Sequence, residues 1–451
     1  MRLFIENSIE EITTLLKCGE IRLEDMIDEC VSLSERYCKY KFWKSFDTEI
    51  LKSQYQDLYS IKDKWEDKKL LGIPIGVKDV FNTRDLPTQM GSMIWEGFEA
   101  GNDARVVGNL LYNGGVMAGK TVTAEFAVHA LNETLNPYNI ERTPGTSSSG
   151  SAAAVALGVV PAALATQTAG SIIRPASFCG VYGYKPSFGT VPRTGVLKTT
   201  DSLDSIGFIT SNIDNIRPIF DAISVHGLDY PYVYEAVSDP RRKHRGGKWR
   251  IAFVKTYIWD QAEQYVQEAI MDFIMMLKQD QEFDMKEVNI DNIIHDSHKI
   301  HETIYDKSLA YYFKNERLEK DKVSDVMNQM IEHGEMIEIE EYMNALALQT
   351  EKCCQMDLFL QNYDVILSIS TSSAAVKRGQ KELDDPSLIW NLLHLCSVSV
   401  PLFSHEGLPF GIQISARQYS DYLLMDFLAE LCKKGYIPRH TNTKVGEERE
   451  A

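Results

Sequence analysis

The longest apolar stretch of the sequence runs from Ala152 to Ala165 and consists mostly of alanine and valine. It contains Gly158 and Pro161, and it is shorter than the roughly 18–20 residues that a membrane span needs. Hydrophobic residues make up 44% of the chain, which is enough for a large core. The stretch therefore predicts a buried helix that leads into a buried strand, not a membrane anchor.

Strand and helix patterns alternate at both ends of the chain. Residues 104–112 are typical of a helix. Four further segments have the apolar character of buried strands: 116–118, 249–254, 364–369 and 409–414. Such alternation favours an α/β layered fold. Residues 226–248 are a connector rich in proline, glycine and charge, and residues 260–360 are mostly amphipathic helix in pattern. We interpret the segment 226–360 as a variable helical layer.

The net charge of −17 and the pI near 5.1 argue against a nucleic-acid partner, because an acidic surface repels phosphate groups. The eight cysteines show no disulfide framework. The N-terminal residues turn acidic at Glu6 and lack an apolar signal core. These features predict a cytoplasmic protein with reduced thiols.

Two loops rich in small residues flank the apolar stretch. The first runs from Pro144 to Ser151, and the second contains the turn Ala169-Gly170-Ser171. Backbone N–H groups in such a turn can point at one spot, since no large side chain blocks the approach. A serine at its end is then placed as a nucleophile. An ordinary Ser/Gly loop is the alternative reading of this segment alone.

A nucleophilic serine needs a base, and the ten histidines suggest no Ser-His-Asp arrangement. Lys78 ends the apolar segment 71–80, where burial can lower its pKa enough to make it neutral near pH 7. A surface lysine is the alternative, because lysine usually extends its charge into water.

Together these segments resemble the amidase signature family. Its pattern is a G-I-P-x-x-V-K-D segment, then G-S-S-G-G-S, then a T-x-G-G-S turn 24 positions after the first active serine, and Ser147 and Ser171 are 24 apart here. The resemblance covers Gly72–Asp79, Gly119–Ala127, Gly145–Gly207 and, more weakly, Asp364–Ile414. It implies an α/β fold with a large twisted mixed β-sheet flanked by helices.

The resemblance also implies a domain organisation for the chain. We expect one domain over residues 1–445, with N-terminal helices, a catalytic core, the variable helical layer and the C-terminal part of the core. The N-terminal helices span 1–65, the catalytic core spans 66–225, the variable helical layer spans 226–360, and the C-terminal part of the core spans 361–445.

The family carries specific roles over to this sequence. Ser171 is expected to attack an amide carbonyl, Ser147 to relay its proton, and neutral Lys78 to act as the base. The N–H groups expected to form the oxyanion hole belong to Thr168, Ala169, Gly170 and Ser171. An acyl-enzyme then forms and water releases the acid, and no metal or cofactor is expected. The Thr146–Ser147 peptide bond is expected to be cis.

This sequence departs from the family pattern near the nucleophile. Gln167 stands where Asp is common, and Arg174 lies three positions after Ser171 instead of two. Both features resemble a malonamidase-like branch in which this arginine binds a substrate carboxylate. We therefore expect Arg174 to recognise an acidic group, because a guanidinium suits bidentate carboxylate binding. A structural pair between Arg174 and Asp204 is the alternative.

Two other patterns invite functional readings. Gly114-x4-Gly119-Lys120-Thr121 matches the P-loop pattern. A P-loop needs strand, loop and helix in that order, whereas residues 116–118 look like strand inside the supposed loop. His295, His298 and His301 have a spacing that can present imidazoles to a metal. Because they lie in a polar helix without further ligands, we predict a solvated face.

The sequence thus predicts a serine amidase that acts on a small-molecule amide carrying a carboxylate. We expect no nucleic-acid or membrane partner. The resemblance to the family also suggests a homodimer. Three alternatives stay open. They are the glutaminase subunit of a glutamine-dependent amidotransferase, an acyl-transferring or amide-forming enzyme, and a non-catalytic scaffold of the same fold.

Overall fold

A computed structural model describes residues 2–225, 231–441 and 445, and the strands within these ranges form one sheet. The strands are β1 (Trp43–Ser45), β2 (Pro74–Lys78), β3 (Val116–Thr121), β4 (Ala162–Gln167), β5 (Tyr182–Lys185), β6 (Ser205–Thr210), β7 (Trp249–Phe253), β8 (Phe283–Glu287), β9 (Val365–Ile369), β10 (Cys396–His405) and β11 (Leu408–Ala416). The helices are α1 (Leu3–Glu6), α2 (Ile9–Cys18), α3 (Leu23–Arg36), α4 (Thr48–Ser60), α5 (Arg105–Tyr112), α6 (Ser149–Ala156), α7 (Ile173–Cys179), α8 (Ile216–Ile223), α9 (Pro231–Ser238), α10 (Gln264–Lys278), α11 (Asp291–Ile294), α12 (Ser297–Tyr312), α13 (Asp325–Met336), α14 (Ile339–Phe359), α15 (Ser387–Leu392) and α16 (Asp421–Lys433).

The sheet is mixed. Its strands follow the order β1-β3-β2-β4-β6-β5-β10-β11-β9-β7-β8. β2 is parallel to β3 and β4, and β7 is parallel to β8 and β9, whereas the other neighbouring pairs are antiparallel. Helices pack on the sheet, among them α6 on β4 and α7 on β11. The predicted α/β fold with a large mixed sheet flanked by helices is confirmed.

The apolar stretch forms α6 and β4, as predicted. Every residue of α6 is buried, and so is almost all of β4. Gly158 follows α6 with a φ of 70°, a left-handed conformation that favours glycine and ends helices. Within the described ranges, no helix has the combined length and apolarity that crossing a membrane demands.

The direction of two strands determines where functional side chains gather. β2 and β4 are parallel and pair at Val77 and Leu164, so their carboxyl ends meet at one edge of the sheet. Lys78 ends β2 there, and Gln167 ends β4. Binding sites of open α/β sheets commonly form outside such carboxyl ends. The loops before α6 and before α7 lie at the same edge.

Three helices of the segment 226–360, namely α12, α13 and α14, share a second apolar cluster with loops near this edge. The cluster includes Phe126, Leu203, Ile300, Ile304, Leu309, Met327, Ile331, Ala345 and Leu392. The segment is not helical throughout, because it also contributes β7 and β8 to the sheet. β7 was predicted from its apolar residues, whereas β8 was missed, since charged side chains fill most of this edge strand.

Gly150 offers a test of how tightly α6 packs. A Cβ at this position would lie 2.5 Å from the carbonyl oxygen of Phe42 and 2.8 Å from that of Val122. Because backbone cannot move aside cheaply, we expect Gly150→Ala to lower the free energy of unfolding by about 1–3 kcal/mol. Urea denaturation measures the change.

Gly108 in α5 provides the matched control for this substitution. A Cβ there would meet no atom within 4 Å. Gly108→Ala should therefore raise the stability by roughly 0.5–1 kcal/mol through helix propensity alone. Equal urea midpoints for Gly150→Ala and the wild type would contradict the described packing.

Candidate active site

The Lys78 side chain is fully buried at the carboxyl end of β2. Its Nζ lies 2.8 Å from Ser147 Oγ and 2.8 Å from Thr166 Oγ1. A neutral amine has a lone pair, so it can donate to Thr166 while it accepts the proton of the Ser147 hydroxyl. An ammonium has only donors and could not take that proton. The geometry therefore suits a base if the amine is neutral.

The surroundings of Lys78 favour that neutral form. In the part of the chain that the structure describes, no carboxylate lies within ion-pairing distance of its Nζ. Burial lowers the pKa of Lys78 well below its ordinary value, and the charge of Asp204 opposes this only in part.

Lys120 on the adjacent strand β3 makes an instructive comparison. It is as deeply buried as Lys78, but its ammonium lies 3.0 Å from the Asp79 carboxylate and donates to Thr88 Oγ1 at 2.8 Å. β3 extends the strand predicted at 116–118 as far as Thr121, so Lys120 of the P-loop-like pattern lies in a strand and has a counter-ion. Of these two buried lysines, Lys78 is the one that lacks such a partner.

The loop before α6 places the Ser147 hydroxyl against the Lys78 amine. The Thr146–Ser147 peptide bond is cis, as the resemblance implies. Gly145 has a φ of 82°, and a Cβ there would lie 2.8 Å from Pro175 Cα. Glycine therefore allows this loop to lie directly on α7, the helix that follows Ser171.

Ser171 lies in the turn between β4 and α7, and the side chain of Gln167 holds this turn. Gln167 Oε1 accepts hydrogen bonds from the N–H groups of the two residues after Ser171, at 2.9 and 3.1 Å. By contrast, the N–H groups of Ala169, Gly170 and Ser171 find no acceptor among the described residues. Unsatisfied consecutive N–H groups are what a developing oxyanion requires.

The turn is packed against the C-terminal part of the chain. A Cβ at Gly170 would overlap the Asp385 carboxylate and lie 2.6 Å from Ser387 Oγ. Ser171 is 7% exposed, and its hydroxyl has no hydrogen-bond partner in the described ranges. The structure thus brings Lys78 into direct contact with Ser147 and leaves the Ser171 hydroxyl free, while the catalytic roles of these residues remain predictions.

Arg174 on α7 is buried between two carboxylates. Its Nη1 lies 2.5 Å from Asp385 Oδ2, and its Nε lies 3.2 Å from Glu382 Oε2. Its Nη2 donates to His129 Nδ1 at 2.8 Å and to the Thr146 carbonyl at 2.9 Å. The charge of Arg174 is the main cause that lowers the pKa of His129 to about 3, so this ring, which is 47% exposed, is a neutral acceptor. A substrate carboxylate would have to share the guanidinium with Glu382 and Asp385.

Asp204 is not the partner of Arg174, so the alternative structural pair is wrong. Its Oδ1 instead accepts hydrogen bonds from the hydroxyls of Thr168 at 2.9 Å and Thr199 at 2.6 Å. These contacts fix the Thr168 side chain at the start of the turn that carries Ser171. The same three residues line a cavity of about 190 Å³ that also reaches Thr166. This cavity lies beside the turn that carries Ser171, but neither Ser147 nor Ser171 is among its described lining residues.

Sequence reasoning missed two groups that contact the Thr168 carbonyl oxygen. His301 Nε2 lies 2.9 Å from this oxygen, and Asn391 Nδ2 donates to it at 2.6 Å. His301 is buried, so the prediction of a solvated histidine face is wrong for this residue, although His295 is exposed. The reason is that α12 packs its apolar face into the second cluster and turns His301 inward.

Comparison with known proteins places the chain in one family. Residues 38–425 match the family model described as Amidase. A glutamyl-tRNA(Gln) amidotransferase subunit from Staphylococcus epidermidis is 30% identical to this chain over 92% of this chain and 95% of that protein. The corresponding subunit from Bacillus licheniformis is also 30% identical, over 93% of this chain and 95% of that protein.

Solved structures share the fold. The peptide amidase of Stenotrophomonas maltophilia aligns with a TM-score of 0.80 at 20% identity, over 98% of this chain and all of that chain. A bacterial aryl acylamidase aligns with a TM-score of 0.82 at 17% identity, over the full length of both chains. At these identities the likeness concerns the fold alone.

The charge state of Lys78 has a measurable consequence for stability. Between its lowered folded-state pKa and the ordinary value of about 10.4, the unfolded chain holds a proton that the folded chain lacks. The free energy of unfolding should therefore rise with pH in this window, by about 1.4 kcal/mol per unit from this group. Lys78→Met should lose that contribution.

Urea denaturation of the wild type and Lys78→Met at several pH values from about 8 to 10 tests this linkage. The two curves of unfolding free energy against pH should diverge as the pH falls, because the free energy of unfolding of the wild type decreases relative to that of the variant. Parallel curves would mean that Lys78 is protonated alike in the folded and unfolded chains, and the base role would then be wrong.

Proposed function

This chain belongs to the amidase signature family, and on that premise we propose that it hydrolyses the C–N bond of a small amide through an acyl-enzyme on Ser171. One contact supports this proposal above all others, namely the 2.8 Å separation between the buried Nζ of Lys78 and Ser147 Oγ. It pairs an amine that has no counter-ion among the described residues with the hydroxyl that would pass it a proton.

In the acylation step, Ser171 Oγ attacks the amide carbonyl carbon. The Ser171 proton moves to Ser147 Oγ as the Ser147 proton moves to Lys78 Nζ, so the relay carries no net charge onto Ser147. The negative charge on the former carbonyl oxygen is met by the N–H groups of Thr168, Ala169, Gly170 and Ser171. Such preorganised donors commonly supply the largest single part of the rate enhancement.

Collapse of the tetrahedral intermediate breaks the C–N bond. The Lys78 ammonium returns its proton through Ser147 to the leaving nitrogen, and ammonia or an amine departs. Water then attacks the acyl ester by the same relay, releasing the carboxylic acid and restoring the Ser171 hydroxyl. Lys78 must be neutral at the start of each half-reaction, which its burial favours.

Arg174 is proposed to recognise an acidic substrate group. Its burial beside the oxyanion turn supports a position close to bound substrate. Its two carboxylate partners, Glu382 and Asp385, would compete with that group for the guanidinium. Recognition of a carboxylate then requires that one partner gives way, so the preference for acidic amides is expected to be modest.

A second candidate function is the release of ammonia within an amidotransferase. It is favoured by the relatives named as amidotransferase subunits, which match this chain almost from end to end. The same serine chemistry would act on glutamine and pass ammonia to a partner. The net charge of −17 argues mildly against a surface that faces RNA.

The cellular location, the oligomeric state and the acyl acceptor are proposed from the sequence alone. A cytoplasmic location and a homodimer remain predictions. Transfer of the acyl group to an acceptor other than water would use the same acyl-enzyme. An inactive scaffold is disfavoured, because such a protein has no need for a buried amine held against a serine hydroxyl.

The proposal is tested with a panel of neutral amides, carboxylate-bearing amides and glutamine, with released ammonia as the readout. Ser171→Ala and Lys78→Met should each lower kcat by at least about 10³-fold. Ser149→Ala is the matched control. The buried Ser149 hydroxyl accepts a hydrogen bond from Asn132 Nδ2, close to the loop that carries Ser147. Its loss should leave kcat within a few-fold of the wild-type value.

Acid quenching followed by mass spectrometry should locate an acyl adduct on Ser171. An adduct on another residue, or undiminished turnover in Ser171→Ala, would contradict the proposal. Glutamine turnover that appears only with an added partner subunit and ATP would favour the amidotransferase function.

If Arg174→Gln leaves the KM ratio of acidic to neutral amides unchanged, Arg174 does not recognise the substrate carboxylate.

A further inference from the structure

The carbonyl oxygen of Thr168 accepts two hydrogen bonds from side chains that lie far away in sequence. His301 Nε2 lies 2.9 Å from this oxygen and Asn391 Nδ2 lies 2.6 Å from it. The side chains of both residues are buried, at 3% and 1% exposure. Asn391 is held in place by a further bond to the Leu203 carbonyl at 3.0 Å. Two buried donors thus converge on one peptide group at the start of the oxyanion turn.

The hydrogen bond defines the state of the His301 ring. A carbonyl oxygen can only accept, so Nε2 must carry the proton. Burial lowers the pKa of His301 to about 4, so the ring is neutral at ordinary pH and its single N–H is the one that faces Thr168. His301 is therefore a fixed neutral donor, not an acid or a base.

The peptide group that receives these bonds is part of the proposed oxyanion hole. The Thr168 carbonyl and the Ala169 N–H are the two ends of one planar amide. Donors on the oxygen draw electron density from the nitrogen and make its N–H a stronger donor, an effect estimated at about 10–30% per bond. They also hold the plane of the amide, and hence the direction of the Ala169 N–H.

We propose that His301 and Asn391 are positioning residues that orient and polarise the Thr168–Ala169 peptide, so that its N–H stabilises the oxyanion. This inference rests on the proposed amide hydrolysis and deepens it. Neither side chain touches the reacting atoms, because each acts through the peptide between it and the substrate.

Other contacts around Thr168 fit this role. The Thr168 side chain is already held by Asp204, so packing of the residue does not require the two donors. His301 belongs to α12, whose neighbours Ile300 and Ile304 lie in the second apolar cluster. The His301 imidazole thereby links the helical layer to the Thr168 peptide, so that layer acts on catalysis indirectly, through this peptide.

The test compares substitutions that separate the donor from the bulk of the ring. His301→Phe keeps a planar ring but removes the N–H, whereas His301→Gln keeps an N–H donor at about the same reach. Asn391→Leu removes the second donor independently. His295→Phe, on the exposed part of the same segment, is the matched control and should behave as the wild type.

We expect His301→Phe and Asn391→Leu each to lower kcat by about 10-fold, less than the ~10²–10³ that loss of a direct oxyanion donor costs. KM should change less than about twofold, because ground-state binding is not affected. Binding of a peptide-like aldehyde, which forms a tetrahedral adduct with a serine, should weaken by the same factor as kcat. His301→Gln should recover most of both losses.

An infrared measurement reads the polarisation directly. The ester carbonyl of an acyl-enzyme labelled with ¹³C at that carbon should absorb at higher frequency in His301→Phe than in the wild type. It should return toward the wild-type frequency in His301→Gln. A structural role alone would alter stability without this matched change in frequency and kcat.

Unchanged kcat, aldehyde affinity and carbonyl frequency in His301→Phe and Asn391→Leu would overturn the inference. If one of these variants fails to fold, the other carries the same test, since both donors act on one oxygen. Failure of the proposed function is distinguishable from these outcomes. In that case the wild type itself would form no acyl adduct on Ser171 and release no ammonia.

Discussion

The proposed chemistry depends on the contact between the Ser147 hydroxyl and the buried amine of Lys78, which has no counter-ion within the described ranges. Keeping an ammonium in such a place would cost several kcal/mol, so the protein lowers the pKa of the group instead. The neighbouring Lys120 shows a different arrangement, since its Nζ pairs with the Asp79 carboxylate, which opposes the lowering of the Lys120 pKa by burial. The same strand pair thus holds one lysine suited to support the fold and one suited to accept a proton.

The geometry of the sheet brings the other parts of the site to this amine. Because β2 and β4 are parallel, the end of β4 delivers the oxyanion turn beside Lys78. Side chains then hold that turn from several directions. Gln167 binds its far end, Asp204 binds the Thr168 hydroxyl, and His301 with Asn391 binds the Thr168 carbonyl. The N–H groups of Ala169, Gly170 and Ser171 have no acceptor in the part of the chain that the structure describes, which is the arrangement that an oxyanion would complete.

Part of this site could be predicted because short motifs of the sequence resemble the family pattern, and the structure places Lys78 beside Ser147 although they are 69 positions apart. Lys78, Ser147 and Ser171 lie in short motifs at characteristic spacing, and the apolar stretch between the serines forms the expected helix and strand. His301 could not be placed in this way, since its polar neighbours suggested a solvated face and only the packing of α12 turns it inward. Likewise, Glu382 and Asp385 approach Arg174 from a distant segment, and β8 was missed because an edge strand need not be apolar. What the sequence left open therefore depends on contacts between distant segments.

The most direct test of the account is the protonation state of Lys78 itself. In protein labelled with ¹³C at the ε carbon of lysine, the NMR signal that disappears in Lys78→Met identifies this residue. The account predicts that this signal titrates well below the ordinary lysine pKa of about 10.4, with the amine neutral at the pH of activity. A signal that titrates near the ordinary value would show a permanent ammonium, and the proposed base, relay and acyl-enzyme chemistry would all be contradicted.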